Sequence, residues 1–250
     1  MLFQKQIIFR YKKLPQNFAF ISTYKFDEFF LDFEIAKQAF SINVIHQKAN
    51  TTTPKGVVFY LHGTLNNIQY HLSKTTFFLE QQYDVIIMDY PQYGKSKGVL
   101  KEDLLYDVVE NVYCAMFNKI QNSGPVFIVG RSLGTALASN LASKVSASGL
   151  ILISPYSNMP DLFSQKVKLF SFEKLKFKLE NNVYLPMVKS DAYILHGTDD
   201  TLIPIALAHK LIPFLKYPNR FVSIDKANHF NIHEKDEFKT YVAFILNPIK

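Results

Sequence analysis

The sequence predicts an α/β fold of the following kind. Antiparallel strands come first in the chain, a mostly parallel sheet follows, and helices cover both faces of the sheet. Short apolar runs rich in β-branched residues recur after the first fifth of the chain, at residues 57–61, 85–88, 126–129, 150–153 and 192–195. Longer stretches with helical spacing separate them, which is typical of βαβ units and a buried parallel sheet. The N-terminal part instead alternates apolar with polar residues, which is typical of antiparallel strands with one solvent-exposed face.

The remaining elements follow in chain order. Residues 26–33 and 40–46 are predicted to be the antiparallel strands, and residues 50–56, rich in Thr with Pro and Gly, are predicted to be a turn. A last strand is expected at residues 220–224, and a last helix at residues 234–246. In a sheet of this kind the active site lies at the carboxyl ends of the strands, so chemistry is expected just after each apolar run.

Two apolar stripes predict the core-facing sides of helices. The first stripe contains Leu104, Leu105, Val108, Val109, Val112 and Met116, and the second contains Leu133, Leu137 and Leu141. Cys114 lies within the first helix and is interpreted as a small core residue. Because it is the one cysteine in the chain, an intramolecular disulfide is excluded and a Cys-based zinc site is disfavoured.

The composition fits a globular protein with a basic surface, since 48% of the residues are hydrophobic, 20% are charged and the net charge is +7. Lysines are densest at residues 165–178, where they mix with Leu and Phe. This basic-aromatic stretch could contact a membrane surface or an acyl chain, and it resembles no nucleic-acid motif. No apolar run reaches the roughly 18–20 residues of a spanning helix, and the N-terminus lacks a signal-peptide core. A cytoplasmic protein is expected, with peripheral membrane contact as an alternative.

The segment Gly-Arg-Ser-Leu-Gly at residues 130–134 directly follows one apolar run and precedes the second helical stripe. A serine in this strand–turn–helix setting can sit on a tight elbow that lifts its hydroxyl out of the sheet, as a catalytic nucleophile requires. The backbone N–H of Leu133, at the helix N-terminus, would point to where an oxyanion forms. The alternative is an ordinary turn in which Ser132 caps the helix.

Acid and base candidates follow the last two predicted strands. Either Asp199 or Asp200 could be the carboxylate that orients a catalytic histidine. His229 is the candidate general base, and His233 is its rival. His196 ends a strand and is expected to have a structural role.

These residues resemble the α/β-hydrolase superfamily from about residue 57 to the C-terminus. The order Ser132, aspartate, His229 is the order of that superfamily. Residues 89–98, Asp-Tyr-Pro-Gln-Tyr-Gly-Lys-Ser-Lys-Gly, and the Arg-Ser-Leu-Gly elbow look like the serine aminopeptidase-like and monoacylglycerol-lipase-like branch. The segment that starts at His196 is similar to one in which the fifth residue is the catalytic acid, which selects Asp200.

The resemblance also implies an oxyanion hole. In this fold the N–H of Leu133 is one donor, and the loop after the first apolar run supplies the second. The second donor is assigned to the N–H of Thr64, with that of Leu65 as the alternative. Thr64 stands where the family often has Asn, and Thr135 where it often has a second Gly. Residues 91–92 are Pro-Gln where the family often has Arg-Gly. These departures leave the triad intact and bear on the oxyanion loop and on substrate preference.

The implied activity is hydrolysis of a carboxylester or thioester through an acyl-Ser132 intermediate. Asp200 and His229 would complete the triad, and no metal or cofactor would be needed. The substrate would be a small ester or an acylated molecule. Two alternatives stay open: a peptidase of the serine aminopeptidase type, and a non-catalytic binding protein that keeps the fold.

The absence of linkers and repeats predicts a single domain over residues 1–250. Residues 154–191 are expected to form a short cap insertion with one or two small helices. Its apolar residues could line an acyl pocket or form one face of an ordinary covering helix: Phe163, Leu169, Phe170, Phe172, Leu175 and Phe177.

Overall fold

The computed structural model describes residues 4–120, 124–166 and 175–247. The chain divides into two compact units, Met1–Val126 and Phe127–Lys250. The single domain over residues 1–250 stays a prediction. Over the described residues, no helix is long and apolar enough to cross a bilayer.

The first unit contains the N-terminal strands and the first two apolar runs. Its described strands are β1 (Arg10–Tyr11), β2 (Phe26–Ile35), β3 (Gln38–Gln47), β4 (Gly56–Leu61), β5 (Leu65–Asn66) and β6 (Tyr83–Met88). Its described helices are α1 (Gln4–Ile8), α2 (Ile68–Glu80) and α3 (Glu102–Lys119). The strands predicted at residues 26–33 and 40–46 are confirmed, and each is longer than predicted.

Sheet pairing in the first unit follows the sequence pattern. Strands β4, β6, β3 and β2 lie side by side in that order; β4 and β6 are parallel, and β3 is antiparallel to both of its neighbours. Strand β4 is buried throughout, as its unbroken apolar run predicts. In β2, exposed Asp32 and Glu34 alternate with less exposed residues, which confirms the expected solvent-exposed face. The same expectation was wrong for residues 40–46, because β3 lies between two other strands and none of these residues is exposed. Strands β1 and β5 form a separate parallel pair that the sequence did not predict.

Helix α3 confirms the first apolar stripe and corrects the interpretation of Cys114. Val108, Val112 and Met116 are buried, whereas Cys114 is exposed. Successive helical residues are rotated by about 100°, so a residue two positions from both Val112 and Met116 points away from the core. The expectation of a core cysteine was therefore wrong, because it weighed the apolar neighbours in sequence and not their angle around the helix.

The second unit contains the later apolar runs. Its described strands are β7 (Val126–Arg131, which starts on the last residue of the first unit), β8 (Gly149–Ile153), β9 (Ala192–Gly197) and β10 (Phe221–Ile224). Its described helices are α4 (Gly134–Lys144), α5 (Met159–Lys166), α6 (Asn181–Tyr184), α7 (Ile205–His209) and α8 (Asp236–Leu246). Strands β7, β8, β9 and β10 are consecutive neighbours, and all are parallel. The loops after β7, β9 and β10 consequently leave one edge of this sheet.

The segment between β8 and β9 holds short helices, as predicted: α5, α6 and the 3₁₀ turn Leu185–Met187. Phe177 and Leu185 are buried. Most of the basic-aromatic stretch at residues 165–178, including Leu169, Phe170 and Phe172, lies outside the described residues. Its proposed contact with a membrane or an acyl chain stays a prediction.

Candidate active site

Ser132 sits on a sharp turn between β7 and α4. Its φ is +53°, a left-handed conformation that residues with a side chain rarely adopt. The Ser132 N–H donates to the Ile153 carbonyl at 2.9 Å, which ties the turn to β8. Gly130 makes the turn possible, because a Cβ there would lie 2.6 Å from both the Ala138 Cβ and the Gly134 oxygen. The elbow that the sequence predicts is therefore present, with strain held at the serine itself.

Three side chains from three loops form one hydrogen-bonded row. The Nδ1 atom of His229 is 2.7 Å from the Asp200 Oδ2 atom, and its Nε2 atom is 3.1 Å from the Ser132 Oγ atom. All three residues are at most 5% exposed. Since an ionised carboxylate can only accept, His229 Nδ1 carries the proton and donates it to Asp200. In the neutral ring, Nε2 then accepts from the Ser132 hydroxyl, which is the arrangement that a general base requires.

Asp200, and not Asp199, faces the histidine. Its Oδ1 atom accepts hydrogen bonds from the backbone N–H groups of Leu202 and Ile203, at 3.0 and 2.8 Å. Burial acts to raise the pKa of Asp200, but the bond and charge of His229, helped by the Ile203 amide, hold it below its usual range. Asp199 is exposed, and it accepts a 3.2 Å bond from the Thr198 hydroxyl. The carboxylate beside His229 is therefore kept ionised and held in place.

Two further histidines lie near this row in sequence. His196 is fully buried; its Nε2 atom donates to the Ile203 carbonyl at 2.8 Å and lies 3.5 Å from the Asp200 Oδ2 atom. Burial lowers the pKa of His196, which favours its neutral form. Its bond to Ile203 holds the loop that follows Asp200, in agreement with the structural role expected for it. His233, the rival base, lies in the 3₁₀ turn Ile232–Glu234 with its Nε2 atom 3.8 Å from the Glu234 carboxylate.

Arg131 is a site residue that sequence reasoning missed. Its guanidinium is buried, and the Nη2 atom donates to the backbone carbonyl of His229 at 2.5 Å. The contact fixes the loop that carries His229 against the end of β7, directly before Ser132. Its position directly before Ser132 in the sequence could have indicated a role at the site. The sequence does not show which group the end of this long side chain contacts.

The two expected oxyanion donors belong to different units. Leu133 immediately precedes α4, and its carbonyl accepts a 3.5 Å bond from the Tyr156 hydroxyl. The Thr64 carbonyl accepts from the Arg10 N–H at 3.1 Å and from the Tyr93 hydroxyl at 2.9 Å, and its own hydroxyl donates to the Ile8 carbonyl. Leu65, the alternative, pairs with Arg10 in the β1–β5 ladder. Both oxyanion assignments stay predictions.

Across residues 4–120, 124–166 and 175–247, no group of three or more His, Cys, Asp or Glu side chains is arranged to hold a metal ion. The polar groups that converge on Ser132 are a histidine and a carboxylate in a row, an arrangement suited to moving a proton away from a hydroxyl.

Comparison with solved structures establishes the fold. The chain matches the esterase Pf2001 from Pyrococcus furiosus with a TM-score of 0.73 and 15% sequence identity, over 95% of this chain and 97% of that one. The fold is the α/β-hydrolase fold, as the sequence predicts. The family follows from the sequence itself, because the model for serine aminopeptidases of family S33 matches residues 52–190, more than half of the chain. The chain belongs to that family.

Individual relatives share between a fifth and a third of their aligned residues with this chain. The uncharacterized protein YfhR of Escherichia coli K12 is 21% identical over 202 residues, which cover 76% of this chain and 71% of that protein. The lysophosphatidylserine lipase ABHD12 of Xenopus tropicalis is 28% identical over 187 residues, which cover 64% of this chain and 47% of the lipase. The chain thus aligns with about half the length of that lipase. Family and fold together support a hydrolase of the esterase-like α/β group.

Proposed function

We propose that this protein is a serine hydrolase that cleaves a carboxylester or thioester through an acyl-Ser132 intermediate. The observation that carries the proposal is the buried row from Asp200 through His229 to Ser132, with contacts of 2.7 and 3.1 Å. A buried serine on a strained turn, an imidazole within reach of its hydroxyl and an ionised carboxylate together form the minimal apparatus for nucleophilic acyl transfer.

The proposed reaction has two halves. The Ser132 oxygen attacks the acyl carbon while its proton passes to His229 Nε2, and Asp200 stabilises the resulting imidazolium. The Leu133 N–H, with Thr64 as the predicted second donor, would stabilise the negative oxygen of the tetrahedral intermediate. As the carbon–oxygen or carbon–sulfur bond breaks, His229 returns the proton to the departing alcohol or thiol. Water then attacks the acyl-enzyme by the same route and releases the acid.

We expect substrates of modest acyl length. In the described part of the segment between β8 and β9, Phe177, Leu179 and Leu185 are buried, as in a covering layer, whereas Val183 and Met187 are exposed. Since the whole segment has only 38 residues in the sequence (154–191), we expect it to cover short or medium acyl chains rather than long ones. The names of two similar proteins, an esterase and a lysophosphatidylserine lipase, also favour ester chemistry.

A peptidase is the second candidate, because the matching family is described as serine aminopeptidase. The same row of residues would cleave an amide by the same two steps, since an amide also forms a tetrahedral intermediate and needs its leaving amine protonated by the histidine. The two functions therefore differ in the substrate and not in the proposed triad.

A substrate panel tests both functions. p-Nitrophenyl esters from acetate to palmitate, acyl-thioesters of matching length and aminoacyl p-nitroanilides would be compared at equal concentrations. We expect esters or thioesters of short to medium length to give the highest kcat/KM. Faster anilide hydrolysis would favour the peptidase, and no hydrolysis of any substrate would favour a non-catalytic binding protein.

A matched pair of histidine variants links the activity to the site. We expect His229→Ala to lower kcat by about 10⁴-fold or more, because the base is lost. His233→Ala is the control, since this residue lies four positions away on the turn Ile232–Glu234, and it should keep most of the activity. Equal losses in both variants would contradict the assignment of His229.

A further inference from the structure

The hydroxyl of Thr135 is bonded to the peptide of the candidate nucleophile. Thr135 lies in the first turn of α4, and its Oγ1 atom is 2.6 Å from the Ser132 carbonyl oxygen, which also accepts from the Thr135 N–H at 3.0 Å. A threonine hydroxyl that bonds to the carbonyl three residues earlier is common in helices. Here the other side of the hydroxyl is also occupied, by a residue far along the chain.

That residue is Asn181, the first residue of α6. Its Nδ2 group donates to the Thr135 Oγ1 atom at 3.0 Å and to the Tyr156 carbonyl at 2.8 Å, and its Oδ1 atom accepts from the Ser139 hydroxyl at 2.8 Å. Asn181, Thr135, Ser139 and Tyr156 are all fully buried. Both amide hydrogens of Asn181 are thus used, and its orientation is fixed by three partners on two segments, Thr135 and Ser139 on α4 and Tyr156 after β8.

The bonds set the direction of one proton. A hydroxyl that accepts from Asn181 has its single hydrogen left to donate, and the Ser132 carbonyl lies at 2.6 Å to receive it. The carbonyl of Ser132 and the N–H of Leu133 belong to the same planar trans peptide and point in opposite directions. Fixing the carbonyl therefore fixes the direction of the Leu133 N–H. A donated bond at the carbonyl also polarises the peptide and strengthens its N–H as a donor.

We propose that Thr135 and Asn181 are positioning residues that aim and polarise the Leu133 N–H toward the oxyanion of the tetrahedral intermediate. The inference rests on the proposed function, since it requires an oxyanion at Ser132. It deepens that function in a way specific to this chain, because Thr135 stands where related elbows often carry glycine. It also links the segment between β8 and β9 to the reacting centre, through an asparagine 46 residues from Thr135.

Variants at Thr135 give the most direct test, with p-nitrophenyl butyrate as the substrate. Thr135→Val keeps the shape and removes the hydroxyl, and we expect kcat to fall about tenfold with little change in KM, less than the 10²–10³-fold loss of a whole oxyanion donor. Thr135→Ser restores the hydroxyl and should restore kcat. Ser143→Ala is the matched control, because Ser143 makes the same hydroxyl-to-carbonyl bond in the same helix, 2.7 Å to Asn140, and lies away from the elbow.

Asn181 tests the connection between the two residues. Asn181→Ala should lower kcat by a similar factor, and the double variant Thr135→Val/Asn181→Ala should lose no more than the larger single loss, because both act through one hydrogen bond. Melting temperatures accompany every assay. If the single variants melt at lower temperature while their kcat at 20 °C stays within about twofold of the natural chain, both residues are only structural and the inference is wrong.

The test separates this inference from the proposed function. If the natural chain hydrolyses the ester and Ser132→Ala does not, the proposed function stands whatever happens at Thr135. In that case a Thr135→Val variant with unchanged kcat overturns the positioning role alone. Additive losses in the double variant overturn the shared path through Asn181. An inactive natural chain overturns the proposed function and this inference with it.

Discussion

The substitution Asp200→Asn removes one charge from the candidate triad with little change in shape. Asparagine can keep its Oδ1 atom facing the backbone N–H groups of Leu202 and Ile203, which now lie 3.0 and 2.8 Å from the carboxylate. Its NH₂ group would then replace Oδ2, the atom that lies 2.7 Å from His229 Nδ1. Two donors would face each other across that short distance unless the imidazole changed its tautomer.

The tautomer change explains the expected magnitude. A His229 ring that accepts at Nδ1 carries its proton on Nε2, the atom 3.1 Å from Ser132 Oγ, and can no longer accept the serine proton. The equivalent change in a serine protease triad costs about 10⁴-fold in kcat, or about 5.5 kcal/mol at 1.36 kcal/mol for each factor of ten. We expect a loss of this order for Asp200→Asn. The free energy of unfolding should change by only about 1–2 kcal/mol, because both backbone bonds are kept.

The neighbouring aspartate supplies the control. Asp199 is exposed and bonds to the Thr198 hydroxyl, so Asp199→Asn should keep kcat within about twofold of the natural chain. Ester hydrolysis with the preferred substrate gives kcat and KM, and urea denaturation shows whether each variant is folded. An Asp200→Asn variant that keeps more than a tenth of the natural kcat would refute the reasoning. So would an Asp199→Asn variant that loses as much as Asp200→Asn.

Three further predictions concern stability and exposure. Gly130→Ala should lower the free energy of unfolding by about 1–3 kcal/mol in urea titration, because the added Cβ would lie 2.6 Å from the Ala138 Cβ; an unchanged value would contradict the close packing of the elbow. Cys114 should react with Ellman's reagent in the native protein, and reaction only after denaturation would contradict its exposed position. Burial acts to raise the pKa of Asp84, but its bonds to His46 and the Ala49 N–H hold that pKa below 3.8. Its stabilisation is therefore present above pH 3.8 and lost as the pH falls through the folded-state pKa. The difference in melting temperature between the natural chain and Asp84→Asn should shrink below about pH 4, and a constant difference would contradict this linkage.

The strands and the loops that carry the site were accessible from sequence because burial leaves a local pattern. A strand covered on both faces must be apolar along its length, so residues 57–61 and 192–195 identified β4 and β9 to within a residue or two. The order of parallel strands then brings the residues after their carboxyl ends to one edge. Ser132 and His229 could be chosen for this reason before any distance between them was known, whereas Asp200 was selected over Asp199 only by the resemblance to the family.

Other features could not be predicted because they depend on where long or distant side chains end. The bond from Arg131 to the His229 carbonyl spans 98 residues, and that from Asn181 to Thr135 spans 46. Neither leaves a periodic trace in the sequence, since each joins two polar residues that are far apart along the chain. The two-residue strand β1 is polar and exposed, so no burial pattern marks it.

The central claim is that Ser132 is an activated nucleophile, and covalent labelling tests it most directly. A fluorophosphonate probe, followed by peptide mass spectrometry, would be applied to the natural chain, to Ser132→Ala and to Ser154→Ala. Ser154 is the control because it is fully buried, has a φ of +50° and follows β8. The account predicts one label, on Ser132, that Ser132→Ala loses and Ser154→Ala keeps. A label on another residue, or none on the folded natural chain, would contradict it.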